Sequence, residues 1–156
     1  MIGAAARRYW RVAVLIATLN TAHSLSAQCS PLSVSGSPAD IAVNTAVAGS
    51  PPTAVQNATT TYTIKAKNTK CGVTAQLNAA MPAGVTLTLT FAACSGGTSY
   101  GPITLTTVAQ DVVHGIQTVG NGTCTAAITY QVSALSSAGV VAIQTRTVTL
   151  TEIALP

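Results

Sequence analysis

Four cysteines are the residues of this chain best suited to covalent chemistry, and their spacing favours disulfides. Cys29, Cys71, Cys94 and Cys124 stand far apart, and no two of them form a Cys-x-x-Cys pair. A zinc site would need nitrogen or sulfur ligands grouped at short spacing, and only His114 could assist. An even number of widely separated cysteines is typical of an exported chain with two disulfides. Four cysteines allow three connectivities, and their spacing leaves all three open.

The densest group of titratable residues lies around Asp111 and His114. A serine nearby in space, such as Ser95 or Ser99, would complete a hydrolytic triad with them. The surrounding sequence has no Gly-x-Ser-x-Gly elbow, and the carboxylates lie too far apart in sequence to indicate a glycosidase pair. We therefore expect Asp111 to cap a turn and His114 to lie at a strand end. We therefore predict that the chain is not an enzyme and that it has no catalytic, metal-binding or cofactor-binding residue.

An export signal is predicted at the N-terminus, over residues 1–27. Arg7, Arg8 and Arg11 precede the apolar run Val12–Leu19, and small residues follow. A bilayer-spanning helix needs about twenty apolar residues, so this run is too short to anchor the chain. A basic segment, a short apolar helix and small residues before the cut are typical of a cleaved signal peptide. We expect cleavage after Ala27, although a cut after the preceding serine stays open.

Removal of this leader changes the charge of the chain. The formal net charge of +4 includes the three leader arginines, so residues 28–156 are nearly neutral. Nucleic-acid binding requires a clustered basic footprint, which this remainder does not have. No later stretch is long and apolar enough to span a bilayer, so we expect no stable membrane insertion after cleavage. The predicted location is secreted, periplasmic or at the cell surface.

Residues 28–156 are predicted to form a single all-β domain. Apolar residues alternate with threonine, which has a β-branched preference for strands and suits a solvent-facing position. The segments that show this alternation are Thr59–Lys67, Val85–Phe91, Ile103–Val108, Thr125–Val132 and Val140–Thr151. Short strands separated by turn residues, with no helical crossover, favour an antiparallel β-sandwich, and a closed barrel is the alternative.

Strands so poor in charge would be hazardous if their edges were exposed. One way to cover an edge is to pair it with a segment from another chain. Ile41, Val43 and Val47 fall on one face of a short extended segment, so this segment is a candidate donor strand. The alternative interpretation is that it forms the first strand of its own domain.

The layout of the chain resembles the spore coat U and archaic chaperone–usher pilin group of bacterial secreted proteins. The resemblance rests on Gln28-Cys29, on the strand TYTIKAKNTKC that ends at Cys71, and on the closing strand AGVVAIQTRTVTLT, residues 138–151. The chain is also similar to other bacterial secreted proteins with the phrasing TTYTI, MPAGVTLTL and RTVTLT, here residues 60–64, 81–89 and 146–151.

The resemblance implies an immunoglobulin-like sandwich and a Cys29–Cys71 bridge, and with it a Cys94–Cys124 bridge. It also implies a periplasmic chaperone as a partner, and self-association into surface fibres.

Two classes of function remain for a chain with few charges and no predicted catalytic residue. The first is a non-catalytic secreted or cell-surface structural protein, such as a pilus, fibre or coat subunit. The alternative is an extracellular binding module for a glycan or a protein. A glycan site would need an aromatic platform, for which Tyr62, Tyr100, Tyr130 and Phe91 are the candidates.

Overall fold

Alternating short strands dominate the computed structural model, which describes residues 12–16, 29, 31–38, 40–44, 50–66, 69–94, 96–117 and 123–155. The strands are, in chain order, β1 Val12–Ile16, β2 Ser33–Ser35, β3 Val55–Ile64, β4 Lys70–Leu77, β5 Val85–Phe91, β6 Thr98–Ser99, β7 Ile103–Thr104, β8 Gln110–Ile116, β9 Cys124–Ala134 and β10 Gln144–Leu155. A single 3-10 turn, Ser136–Ala138, is the only helical element among the described residues.

Two five-stranded sheets form a sandwich, as the alternation of the sequence predicts. The first sheet has the strand order β1-β10-β4-β8-β6, and the second has the order β2-β3-β9-β5-β7. Neighbouring strands are antiparallel except for β1, which runs parallel to β10. The predicted antiparallel β-sandwich is therefore confirmed.

The core lies between the sheets and is built from every second residue of the central strands. In β5, Val85, Leu87, Leu89 and Phe91 are buried, while the threonines between them are half-buried on the outer side. Strand β9 continues the pattern with its even-numbered residues from Ile128 onward. Because side chains alternate between the faces of a strand, one face of each sheet packs inward and the other meets water.

Two aromatic rings pack against each other in this core, close to the ends of their strands. Tyr62 of β3 and Phe91 of β5 are both fully buried, and their ring centroids lie 4.7 Å apart. The Tyr62 hydroxyl donates a 2.8 Å hydrogen bond to the Ala92 carbonyl. The Tyr62 ring therefore adds apolar area to the core, while its hydroxyl is hydrogen-bonded just after the end of β5.

The register of the strands places both disulfides at one end of the sandwich, which we call the disulfide end. Cys29 bridges Cys71 at the start of β4, with a Cα–Cα distance of 6.1 Å. Cys94 follows β5 and bridges Cys124 at the start of β9, with a Cα–Cα distance of 5.9 Å. Strand β10 begins at the opposite end and finishes here, since Leu155 pairs with Lys70.

Several elements differ from the sequence-based expectation. Strands β4 and β8 were not predicted, and Asp111, expected to cap a turn, lies within β8. The register between these strands shifts twice, so that the adjacent residues Val112 and Val113 are both buried. In β8 this irregularity removes the period of two on which the strand prediction depends, whereas β4 keeps that period from Val73 to Leu77. The strand expected over Ile103–Val108 is shortened to β7, after which the chain crosses to the other sheet.

The N-terminal segment also differs from expectation. The run Val12–Ile16, predicted as part of a signal-peptide helix, is the strand β1. A short apolar run does not by its pattern distinguish a helix from a strand, and valine and isoleucine favour pairing with an edge. The remaining residues of the predicted leader lie outside the part of the chain that the structure describes.

Gly84 directly precedes β5, at the end of the sandwich opposite the disulfides, and there is little room for a side chain at this position. It has a φ of +75°, and a β-carbon added there would lie 2.7 Å from the Ala138 β-carbon. Gly101 has a similar φ of +78° with no atom within 4 Å of such a carbon. The two glycines therefore separate backbone strain from crowding.

We predict that Gly101→Ala lowers the free energy of unfolding by about 1 kcal/mol, because left-handed strain is partly offset by a less flexible unfolded chain. Gly84→Ala should lose about 1–3 kcal/mol more, since it also overpacks the contact with Ala138. Urea unfolding of the two variants measures the difference. Equal losses would contradict the contact between the two loops.

Candidate functional site

The edge of β10 is the most distinctive feature that could bind a partner. Strand β1 lies along it in parallel, from Val12 opposite Gln144 to Ile16 opposite Val148. This is the single parallel pairing between the named strands of the described chain. The strand that covers the edge therefore comes from a segment that the sequence predicts to be removed.

Backbone groups of β10 point alternately to its two neighbours. The Thr147 amide donates a 3.0 Å hydrogen bond to Asn78 Oδ1, on the side of β4. Successive residues of a strand direct their amides to opposite edges, so the amides of Arg146 and Val148 point to the β1 side. Without β1 these donors would form part of an open ladder.

The Arg146 side chain closes the start of this edge. Its guanidinium donates to the Ala80 carbonyl at 3.0 Å, to the Thr145 carbonyl at 3.0 Å and to Gln144 Oε1. These bonds hold the loop after β4 against the first residues of strand β10. A charged side chain on an edge strand also discourages indiscriminate pairing.

The other outer strands offer little to a partner. Strands β6 and β7 have two residues each, and β2 has three. Very short edge strands are a common way to limit edge-to-edge association. Of the four strands that lie directly behind an outer strand, β10 is the longest with twelve residues, and β3 follows with ten.

The candidate donor segment is placed inside this domain. Ile41 and Val43 are each 2% exposed and belong to the core, while Val47 lies outside the described residues. Donation of this segment to another copy would remove both side chains from the core that they occupy here. The burial favours the alternative interpretation, in which the segment completes its own domain.

The described candidates for a hydrolytic triad, Asp111, His114 and Ser99, make no hydrogen bond with one another. His114 of β8 packs its ring on Tyr100, with centroids 4.7 Å apart. Its buried Nδ1, the atom that a triad carboxylate would orient, has no hydrogen-bond partner in the described part of the chain. Ser99 Oγ instead accepts a hydrogen bond from the Gly101 amide, and Ser95 lies outside the described residues.

The aromatic platform that a glycan would need is mostly absent from the surface. Tyr62, Tyr130 and Phe91 are fully buried, and Tyr100, at 49% exposed, is the only candidate that reaches solvent. Within the described residues there is no group of three or more histidine, cysteine or carboxylate side chains that could hold a metal ion. The same residues contain no helix with the length and apolar character needed to span a membrane.

All four cysteines are paired, as the sequence predicts. The pairing is the one that the resemblance implies, Cys29 with Cys71 and Cys94 with Cys124. Two disulfides indicate that the domain matures in an oxidising compartment.

Comparison with known proteins returned no match from protein-family models, from curated proteins or from solved structures. The functional argument therefore depends on the geometry of this chain.

Sequence reasoning predicted the hazard of exposed edges but not which edge is involved. The signal was present in Val12–Ile16, whose β-branched residues suit a strand as well as a leader helix. The partner strand in space comes from the far end of the chain, and sequence periodicity contains no information about such pairing.

Burial also affects the ionisation of two core tyrosines. Desolvation raises the pKa of Tyr62 from 10.0 to about 12, and it raises the pKa of Tyr130 still further. Both phenols therefore stay neutral in the folded protein at a pH where they ionise in the unfolded chain. Their stabilising effect is complete below about pH 10 and is lost as the pH rises through the folded-state pKa.

We predict that the free energy of unfolding falls steeply above about pH 10. In the double variant Tyr62→Phe/Tyr130→Phe, this alkaline decrease should shrink by more than half. Urea unfolding at several pH values, followed by circular dichroism, measures the slope.

The two single variants provide the control at neutral pH. Tyr62→Phe should cost about 1 kcal/mol because it removes the bond to Ala92. Tyr130→Phe should be close to neutral, since its hydroxyl is buried with no partner among the described residues. An undiminished alkaline decrease in the double variant would contradict the assignment to these tyrosines.

Proposed function

We propose that this chain is a non-catalytic, secreted structural subunit that joins its neighbours in a fibre or coat by accepting a β-strand at the β10 edge. The observation that carries this proposal is the parallel pairing of Val12–Ile16 with Gln144–Val148. The predicted cleavage after Ala27 would remove β1 and leave the edge open. A strand from another molecule then restores the ladder by β-augmentation.

The chemistry of the domain supports a structural role. His114 Nδ1 has no partner among the described residues, those residues hold no metal-binding group, and three of the four candidate aromatic rings are buried. Two disulfides restrict the unfolded chain, and each typically contributes about 2–4 kcal/mol to stability. Such stability suits a protein that must persist outside the cell.

The proposal also gives a role to a partner during export. An edge strand that exposes unpaired donors and acceptors is an aggregation hazard. A periplasmic chaperone that supplies a temporary strand would protect the β10 edge until assembly. The β1 segment indicates the chemistry of such a strand, which is extended, uncharged and aliphatic.

The first test uses backbone changes at the edge. Arg146→Pro removes one amide donor on the β1 side, whereas Arg146→Ala removes the side-chain bonds and keeps that donor. In exported protein with its N-terminus verified at Gln28, we predict multimers for the wild type and for Arg146→Ala. Arg146→Pro should remain monomeric in sedimentation velocity, with an unchanged circular dichroism spectrum.

The second test uses a peptide with the sequence of residues 11–19. It should bind the exported protein in a one-to-one ratio and slow its assembly. A matched peptide with Ile16→Asp should bind at least about tenfold more weakly, because its charge would stand opposite the buried Val148. Multimers of Arg146→Pro as large as those of the wild type, together with no peptide binding, would contradict the proposal.

A further inference from the structure

Exposed aliphatic side chains are concentrated at the end of the sandwich opposite the disulfides. Val108, Leu135, Val140 and Ile143 are 69%, 58%, 59% and 65% exposed, and we call these four side chains the aliphatic end. The only other large hydrophobic residue exposed in the described chain is Tyr100. Four of five such residues therefore lie on loops at a single end.

The strand register shows that these loops are neighbours. Ala134, just before Leu135, pairs with Val85, and the Leu77 amide donates to the Thr106 carbonyl. Strand β10 starts beside them, because Val148 pairs with Leu77. The loops that form this end are residues 50–54, 78–84, 105–109 and 135–143.

None of these loops contains an aspartate, glutamate, lysine, arginine or histidine. In contrast, Lys65 and Lys70 lie at the disulfide end. The nearest charged residues in sequence are Asp111, three residues after Val108, and Arg146, three residues after Ile143. The Arg146 guanidinium already donates to the Ala80 carbonyl. The domain is therefore polarised, with an uncharged aliphatic surface at one end and the described lysines at the other.

The backbone of the most apolar loop is partly satisfied within the protein. The Leu135 amide donates to the Gly84 carbonyl at 2.8 Å, and the Ala138 amide donates to the Leu135 carbonyl at 3.0 Å. Internal hydrogen bonds of this kind lower the cost of moving a loop into an apolar medium. The loop can therefore present Val140 and Ile143 with two of its backbone amides already paired, although the side chains of Ser136 and Ser137 are exposed.

The residue types indicate what this end contacts. Protein interfaces are enriched in tyrosine, tryptophan and arginine at their energetic centres, and valine, leucine, serine and threonine are under-represented there. The aliphatic end has the opposite composition. Leucine, isoleucine and valine enter the hydrocarbon region of a bilayer favourably, whereas charged residues do not.

We propose that the aliphatic end docks on a lipid surface of low charge, with its aliphatic tips entering the boundary between headgroups and acyl chains. Such contact is peripheral and reversible, and its strength follows the apolar area buried. The inference goes beyond the proposed function, because the surface is formed by loop tips and does not use the ladder of β10.

The test measures flotation of exported protein with phosphatidylcholine vesicles. The wild type should float with these vesicles, and binding should change little between about 0.05 M and about 0.5 M salt, since few charges take part. Val140→Asp/Ile143→Asp should weaken binding at least about tenfold. The control Ser35→Asp/Thr125→Asp adds the same charge at exposed strand positions remote from this end, and it should bind like the wild type.

Three results would overturn the inference. One is no flotation of the wild type, and another is undiminished flotation of Val140→Asp/Ile143→Asp. The third is binding that requires phosphatidylglycerol and disappears in high salt, which would place the contact at the lysines. If instead sedimentation shows a dimer that only Val140→Asp/Ile143→Asp dissociates, with no flotation, the aliphatic end is a protein contact and the lipid inference is wrong.

Both aspartate variants should keep the wild-type circular dichroism spectrum and the binding of the residue 11–19 peptide. This readout separates the two proposals. If the peptide binds none of the variants, the result counts against the proposed strand site at the β10 edge. If only Val140→Asp/Ile143→Asp loses flotation, the result locates the lipid contact at the aliphatic end.

Discussion

Unpaired backbone groups at sheet edges are the constraint on which this structure depends most. A sandwich of two open sheets has four outer strands, and each presents donors and acceptors that must be paired, shortened or shielded. Here three of them are reduced to two or three residues. At the fourth position, the long strand β10 has β1 beside it in parallel. The account of function follows from what happens at that edge when β1 is absent.

The rest of the fold makes such an edge tolerable. Alternate residues of β5 and β9 fill the space between the sheets, and Tyr62 and Phe91 are in contact within it. Two disulfides lie at one end, where they restrict the unfolded chain and leave the opposite end to carry exposed loops. A well-packed interior and crosslinked strands keep the domain folded although one edge depends on a segment from far away in the sequence.

The parts predictable from sequence are those that follow a strict period of two. Strand β5 was predicted with its observed bounds, because Val85–Phe91 alternates without interruption. Strand β8 was not, because register shifts place Val112 and Val113 on the buried side together. Strand β4 was missed although it alternates from Val73 to Leu77. The disulfide pairing needed a resemblance, since spacing left three possibilities. The pairing of β1 with β10 was not predictable, because it joins segments far apart in the chain. The only local signal was the strand propensity of Val12–Ile16, which does not identify the partner strand.

The most direct test is the amide hydrogen exchange of Arg146 and Val148, two of the donors on the β1 side of β10. The account predicts rapid exchange in monomeric exported protein and strong protection once the protein has assembled. The Thr147 amide, bonded to Asn78, should be protected in both states. Slow exchange of Arg146 and Val148 in the monomer, or rapid exchange in the assembled form, would contradict the claim that this edge accepts a strand.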